Sequence, residues 1–359
     1  MKPRRFHGFG KQVNYNLLID FSTNLNPLGP PKELTELVSE CLKSRVWTRY
    51  PDPNYVELSE SIASFYKLDP ECVVPCSGAS EAINLAITSA RPDALVVVAP
   101  SYGDYELLCD ALGVKLRYVL MNEIGSSFRL DIELLTNHIR EGRKSAVIII
   151  NPNNPTGAYL SPKDIISIAT EFRNKLFIVD EAYMELSGVD SLINYDLPEN
   201  VVIIRTFTKT FAAPGLRLGF TYSSSKLLTR TIDSLRPTWN IDSVSTYVYT
   251  KLLSDYADQV RRYIGESIRY VREWRNYLVG LLESLGIKVF ESVANFILVK
   301  HAGVDTRILR DVLAKKYGVA IRSAHTFPGL SEEYSRFSVR HPRYCDVLVR
   351  ALEEVLKGS

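Results

Sequence analysis

The chain has 359 residues, enough for two domains or for one large domain with a smaller appendage. Its 46% hydrophobic and 23% charged residues are the balance of a globular protein, and a formal net charge of +2 points to neither nucleic acid nor membrane as a main partner. The cysteines (Cys41, Cys72, Cys76, Cys109, Cys345) are scattered, and no second pair joins Cys72 and Cys76 to make a zinc site. Buried free thiols and no metal are expected. No signal peptide or membrane-length apolar run stands out, so the expected location is the cytoplasm.

In chain order, a polar, basic N-terminus leads into Asp20-Phe-Ser-Thr-Asn-Leu-Asn-Pro-Leu-Gly-Pro-Pro31 and then Trp47-Thr-Arg-Tyr-Pro-Asp52, which reads locally as an X-Pro turn. Between about residue 70 and residue 225, short β-branched runs alternate with segments of helical period. Strands are predicted at 72–76, 95–98, 115–120, 146–150, 176–179, 201–204 and 218–222. Continuous apolar runs separated by helices imply strands buried on both faces, hence an α/β fold with a mostly parallel, seven-stranded sheet. From about residue 243 long helices take over, and strand-like segments return at 287–290, 295–299, 319–322 and 336–340. The predicted division is a large domain over 45–242 and a smaller α+β domain from 1–44 plus 243–359.

The polar motifs cluster where such sheets bind ligands, beyond the carboxyl ends of strands. Ser77-Gly-Ala-Ser80 follows one strand, Asn151-Pro-Asn-Asn-Pro-Thr-Gly157 another, Asp180 a third and Lys209 a fourth. Each has an ordinary alternative: a helix start, a turn, an N-cap, a solvated lysine. Together they supply an amine for a Schiff base, an acid for a pyridinium nitrogen, and hydroxyl and guanidinium donors (Thr206, Thr208, Arg217) for a phosphate. That set is the chemistry of a pyridoxal 5'-phosphate site.

The segments 151–157, 176–183 and 206–219, in this order, resemble the fold-type I aminotransferase superfamily, and the resemblance extends over nearly the whole chain. The resemblance implies a Schiff-base role for Lys209, a pyridinium partner in Asp180, and Tyr183 and Asn154 on the ring's phenolic oxygen. It places the cofactor phosphate near Ala79 and Ser80, with Thr206, Thr208 and Arg217 completing the cradle, and stacks Tyr102 on the ring. Arg49-Tyr50-Pro51 resembles the family segment whose tyrosine reaches the neighbouring subunit's phosphate, implying a homodimer with shared sites. Arg336 resembles the arginine that grips the substrate α-carboxylate.

The chain is most similar to the histidinol-phosphate aminotransferase group, and within it several features resemble threonine-phosphate decarboxylase of cobalamin synthesis. These are Phe6-His-Gly8, the Asp20–Pro31 run and Thr238-Trp-Asn-Ile-Asp242. The resemblance implies a phosphorylated amino-acid substrate held by His7, Asn26, Arg322, Arg336 and Arg340. Gly8-Phe9 departs from the decarboxylase pattern, which has a second glycine and then asparagine. Decarboxylation of L-threonine O-3-phosphate is the expected reaction; transamination of histidinol phosphate or a related amino acid is the alternative. A non-enzymatic effector-binding role for the same fold is the remote third, disfavoured by the intact Lys209, Asp180 and Arg336.

Overall fold

The computed structural model describes residues 19–103 and 105–357. Seven strands form one sheet in the order Val73–Cys76, Gly219–Tyr222, Val201–Thr206, Leu176–Asp180, Ser145–Ile150, Ala94–Ala99, Lys115–Leu120. Gly219–Tyr222 runs antiparallel to both neighbours, and the remaining pairings are parallel. These are the seven strands expected from sequence. Their legibility has a physical basis: Ala94–Ala99, Ser145–Ile150 and Val201–Thr206 are buried at every position, so neither face requires polar residues.

Helices cover both faces. Ile83, Ala86, Ile87 and Ile232, from Gly78–Ala90 and Lys226–Leu235, pack on one side. Leu135, Ile139, Ile165 and Ile168, from Ile132–Glu141 and Pro162–Glu171, pack on the other. A second, antiparallel sheet has the order Lys288–Val289, Phe296–Lys300, Tyr334–Ser338, Arg322–Ser323. Its apolar side meets Leu278, Leu282, Leu313, Leu348 and Leu352 of three helices. Among the described residues no helix is long and apolar enough to cross a membrane.

The packing differs from the sequence expectation in three places. Lys32–Ser44, expected with the smaller domain, buries Leu34, Leu37 and Cys41 in a core shared with Leu58, Ile62, Phe207, Phe220 and Val248. The stripe's helical spacing shows that this face is buried but not against which partner. Ser243–Ser254 joins that same core, as does Val260 in the first turn of the long helix Ala257–Ser284. The single strand expected at 319–322 is two: Val319–Ala320 pairs in parallel with Ile19–Asp20, and Arg322–Ser323 turns to pair with Tyr334–Ser338.

Candidate active site

The parallel register brings the motif-bearing strand ends to one edge. Asp180 stands opposite both Ile150 and Ile204, and Gly219 opposite both Thr206 and Cys76. A cavity of about 230 Å³ opens there, lined by Ala79, Ser80, Tyr102, Asn154, Asp180, Tyr183, Thr206, Thr208, Lys209 and Arg217 from this edge. Arg322 and Arg336 close it from the second sheet.

Lys209 lies on a single helical turn, Phe207–Thr210, capped by Thr206, whose Oγ1 accepts from Thr208 N at 3.4 Å. Burial lowers the Lys209 amine to about 8; Arg336 and Arg217 act in the same direction and Asp180 opposes them. Asp180 is buried, and its Oδ1 accepts from Ala182 N at 3.0 Å. Burial raises its carboxyl to about 7, against the pull of the Ala182 N–H and of Lys209.

At the cavity end lined by Ala79 and Ser80, the helix Gly78–Ala90 starts with no side-chain cap from Ser77. Glu81 instead reaches back, its Oε2 accepting from Ser77 N at 2.5 Å. Two glycines permit the close approach there. A Cβ on Gly219 would stand 2.9 Å from Gly78 C and 3.2 Å from Ala79 N. One on Gly78, at φ +77°, would stand 2.6 Å from Arg217 Nη2. The result is a helix N-terminus whose first N–H groups lack intrahelical acceptors, with a guanidinium beside it: an anion cradle.

At the other end, Tyr183 Oη takes weak hydrogen bonds at 3.4 Å from both Asn154 and Asn24. Arg336 donates to Asn154 Oδ1 and, at 2.8 Å, to Ser22 O; its Nε is buried and makes no hydrogen bond. Arg322 stands directly opposite Arg336 in the sheet, bonded to Thr326 Oγ1 at 2.7 Å, with Phe327 against its guanidinium. Like charges facing each other across strands repel, and burial lowers both guanidiniums, Arg322 to about 10. An anion bound between them relieves both costs.

Three predicted residues among those described do not line this cavity. Tyr50 is 78% exposed and stacks on Trp239, with ring centroids 4.3 Å apart. Asn26 and Arg340, expected to bind substrate, do not line the cavity. Arg340 instead donates to Asp20 O at 2.7 Å and Thr23 O at 3.0 Å, fixing the segment that carries Ser22, Thr23 and Asn24 into the cavity wall. His7 lies outside the described residues. The sequence reading missed Ser22, Thr23, Asn24, Ile83, Ile150, Ala182 and Phe327 in the lining. The signal for the first three was present in Asp20–Pro31, but an irregular segment does not reveal which residues face inward. Among the described residues no group of His, Cys, Asp and Glu could hold a metal ion.

The family model for class I and II aminotransferases matches residues 17–352. The chain belongs to this family. It is 33% identical over 348 residues to the adenosylcobalamin biosynthesis bifunctional protein CobDQ of Leptospira interrogans, covering 95% of this chain but only 39% of that longer protein. It is 30% identical to the histidinol-phosphate aminotransferase of Clostridium novyi, over 87% of this chain and 85% of that one. The crystal structure of the histidinol-phosphate aminotransferase from Clostridium acetobutylicum superposes with a TM-score of 0.82 at 30% identity, covering 94% of this chain and 99% of that one. The donor set of this aminotransferase-family enzyme fits pyridoxal 5'-phosphate: an acid and an amine at two strand ends, an anion cradle, and an aromatic ring at Tyr102.

The two buried titrating groups give the cofactor-free enzyme a testable pH dependence. Asp180 keeps its proton up to about 7 in the folded state but only to 3.8 when unfolded, so this group makes stability fall between those values. Lys209 loses its proton at about 8 when folded and at 10.5 when unfolded, so stability recovers above pH 8. The combined penalty is therefore greatest between about pH 7 and 8. Urea midpoints of the cofactor-free protein, relative to an Asp180→Asn/Lys209→Met variant, should be lowest in that window. A pH-independent difference between the two proteins contradicts the assignment.

Proposed function

We propose that the chain is a pyridoxal-phosphate-dependent decarboxylase of L-threonine O-3-phosphate, acting as a cytoplasmic homodimer. The observation that carries the reading is the facing pair of buried arginines, Arg322 and Arg336, at the mouth of the cavity. One guanidinium suffices for an α-carboxylate; a second beside it calls for a second anion. The resemblance of Asp20–Pro31 to the decarboxylases and the cobalamin-biosynthesis relative support the choice of substrate.

In this reading Lys209 holds the cofactor covalently, Asp180 pairs with its ring nitrogen, and Tyr183 and Asn154 meet its phenolic oxygen. Ala79, Ser80, Thr206, Thr208 and Arg217 hold its phosphate, joined by Tyr50 of the second copy. When bound, the cofactor supplies an electron sink for the bonds at the substrate Cα. Arg336 would take the carboxylate and Arg322 the phosphate, with Asn24 in the same cavity wall. The two clamps decide which Cα bond is presented for cleavage. Lys209, with its lowered proton affinity, then delivers a proton to Cα after carbon dioxide leaves.

The full-length match to histidinol-phosphate aminotransferases favours a second reading, in which the same lysine removes the Cα proton and no carbon dioxide is formed. The exposed, stacked pair of Tyr50 and Trp239 supports the dimer, and sedimentation at the monomer mass would refute it.

The phosphate requirement is tested by spectral titration of the cofactor-loaded enzyme. O-Phospho-L-threonine should perturb the cofactor absorbance at concentrations at least ~10-fold below those needed for L-threonine, since one charge-assisted clamp is at stake. Equal responses to the two amino acids remove the phosphate from the reading.

A further inference from the structure

Asn26 has no polar hydrogen left for a substrate. It is 1% exposed and absent from the cavity lining. Its Nδ2 donates to Thr210 O at 2.9 Å and to Ser267 Oγ at 2.8 Å, which uses both amide hydrogens. Its Oδ1 accepts from Leu28 N at 3.0 Å, and its backbone N–H donates to Lys209 O at 3.0 Å. The carbonyls of Lys209 and Thr210 are thus both tied to one residue. Tyr263 Oη gives its one hydrogen to Gly29 O at 2.5 Å and lies 3.3 Å from Thr210 O, and Ser267 Oγ donates to Tyr263 O at 2.7 Å.

This arrangement matters because the lysine-bearing turn cannot hold itself. Phe207–Thr210 is four residues long, and a helical segment of that length is unstable without outside constraint. The constraint comes from the segment that also meets the substrate arginine: Arg336 donates to Ser22 O, and Asn295 Nδ2 holds Asn24 O and Leu25 O, each at 3.2 Å.

We propose that Asn26 is a positioning residue: it fixes the peptide units that carry Lys209, and it makes no contact with substrate. The inference builds on the reading of Lys209 as the cofactor lysine.

Asn26→Ser and Asn26→Ala test it. Serine can still accept from the amide two residues on, preserving the local turn, but is too short to reach Thr210 O. In the cofactor-free protein, competitive acylation across pH reports the proton affinity of Lys209 without any substrate. In both variants its midpoint should rise from about 8 toward the ordinary lysine value as the turn loosens and water reaches the amine. In the loaded enzyme kcat should fall about 10- to 100-fold, the scale of a small misplacement of a reacting group. KM should stay within about twofold, because uniform binding is untouched. Ser267→Ala, which leaves Asn26 in place, should shift both readouts in the same direction by less, and it serves if the Asn26 variants fold poorly. A raised KM with unchanged kcat would make Asn26 a substrate contact and overturn the proposal. Parental values of both kcat and midpoint in the Asn26 or Ser267 variants would overturn it too. If borohydride fixes the cofactor to another lysine, the parent reading fails, and the acylation midpoint still reports on the clamp separately.

Discussion

Lys209→Ala is expected to abolish turnover while leaving the fold intact. The side chain faces the cavity, so its loss costs the core little packing, and it removes a cation that Arg336 and Arg217 both disfavour. Loss of the positioned acid–base group alone is worth about 100- to 10,000-fold, and loss of the covalent anchor adds to that. The parent protein should be yellow when loaded, bleach on borohydride treatment and carry the resulting label at Lys209. A Lys209→Ala variant with normal turnover, or a label found elsewhere, refutes the assignment.

Arg322→Ala is expected to separate substrate classes. Its guanidinium is buried, steadied by Thr326 and Phe327, and faces Arg336. A charge-assisted hydrogen bond contributes about 1.5–3 kcal/mol, so KM for O-phosphothreonine should rise about 10- to 150-fold. Any slow reaction with unphosphorylated amino acids should change little. Folding stability should hold or improve, because the substitution removes a buried cation from beside another. Thermal melts read this directly: a large fall in midpoint alongside equal kinetic losses on both substrate types would make Arg322 a structural residue instead.

How much of this was legible in the sequence depended on what each residue's neighbours required. Six of the seven strands were visible because burial on both faces writes a continuous apolar run; the edge strand Lys115–Leu120 is only partly buried. Asp180, Lys209 and the segments 77–80 and 151–157 were visible because they close those runs, where a parallel sheet collects its loops, while Tyr102, Tyr183 and the individual phosphate-end residues came from the family resemblance. The limits are equally physical. Arg336 and Arg340 are four apart and look alike in sequence. Yet the strand ends at Ser338, so only Arg336 keeps the inward register while Arg340 turns to grip Asp20 O and Thr23 O. Asn24 and Asn26 share one irregular segment with no periodicity to separate them, and the structure places Asn24 in the wall and Asn26 beneath Lys209. The hairpin Asn122–Ile124/Ser127–Arg129 was missed because its first strand is exposed throughout. Its order comes from distant partners, Tyr334 on Glu123 at 2.5 Å and Phe290 against Phe128.

The central claim is that these clamps present the carboxylate of a phosphorylated amino acid for cleavage. The most direct measurement incubates the cofactor-loaded protein with O-phospho-L-threonine, and separately with histidinol phosphate plus 2-oxoglutarate, and quantifies carbon dioxide and glutamate. The account predicts one carbon dioxide and one 1-aminopropan-2-yl phosphate per O-phosphothreonine consumed, with glutamate at background in both reactions. Glutamate formed from histidinol phosphate, with no carbon dioxide from O-phosphothreonine, would contradict it and make the enzyme an aminotransferase in activity as well as in family.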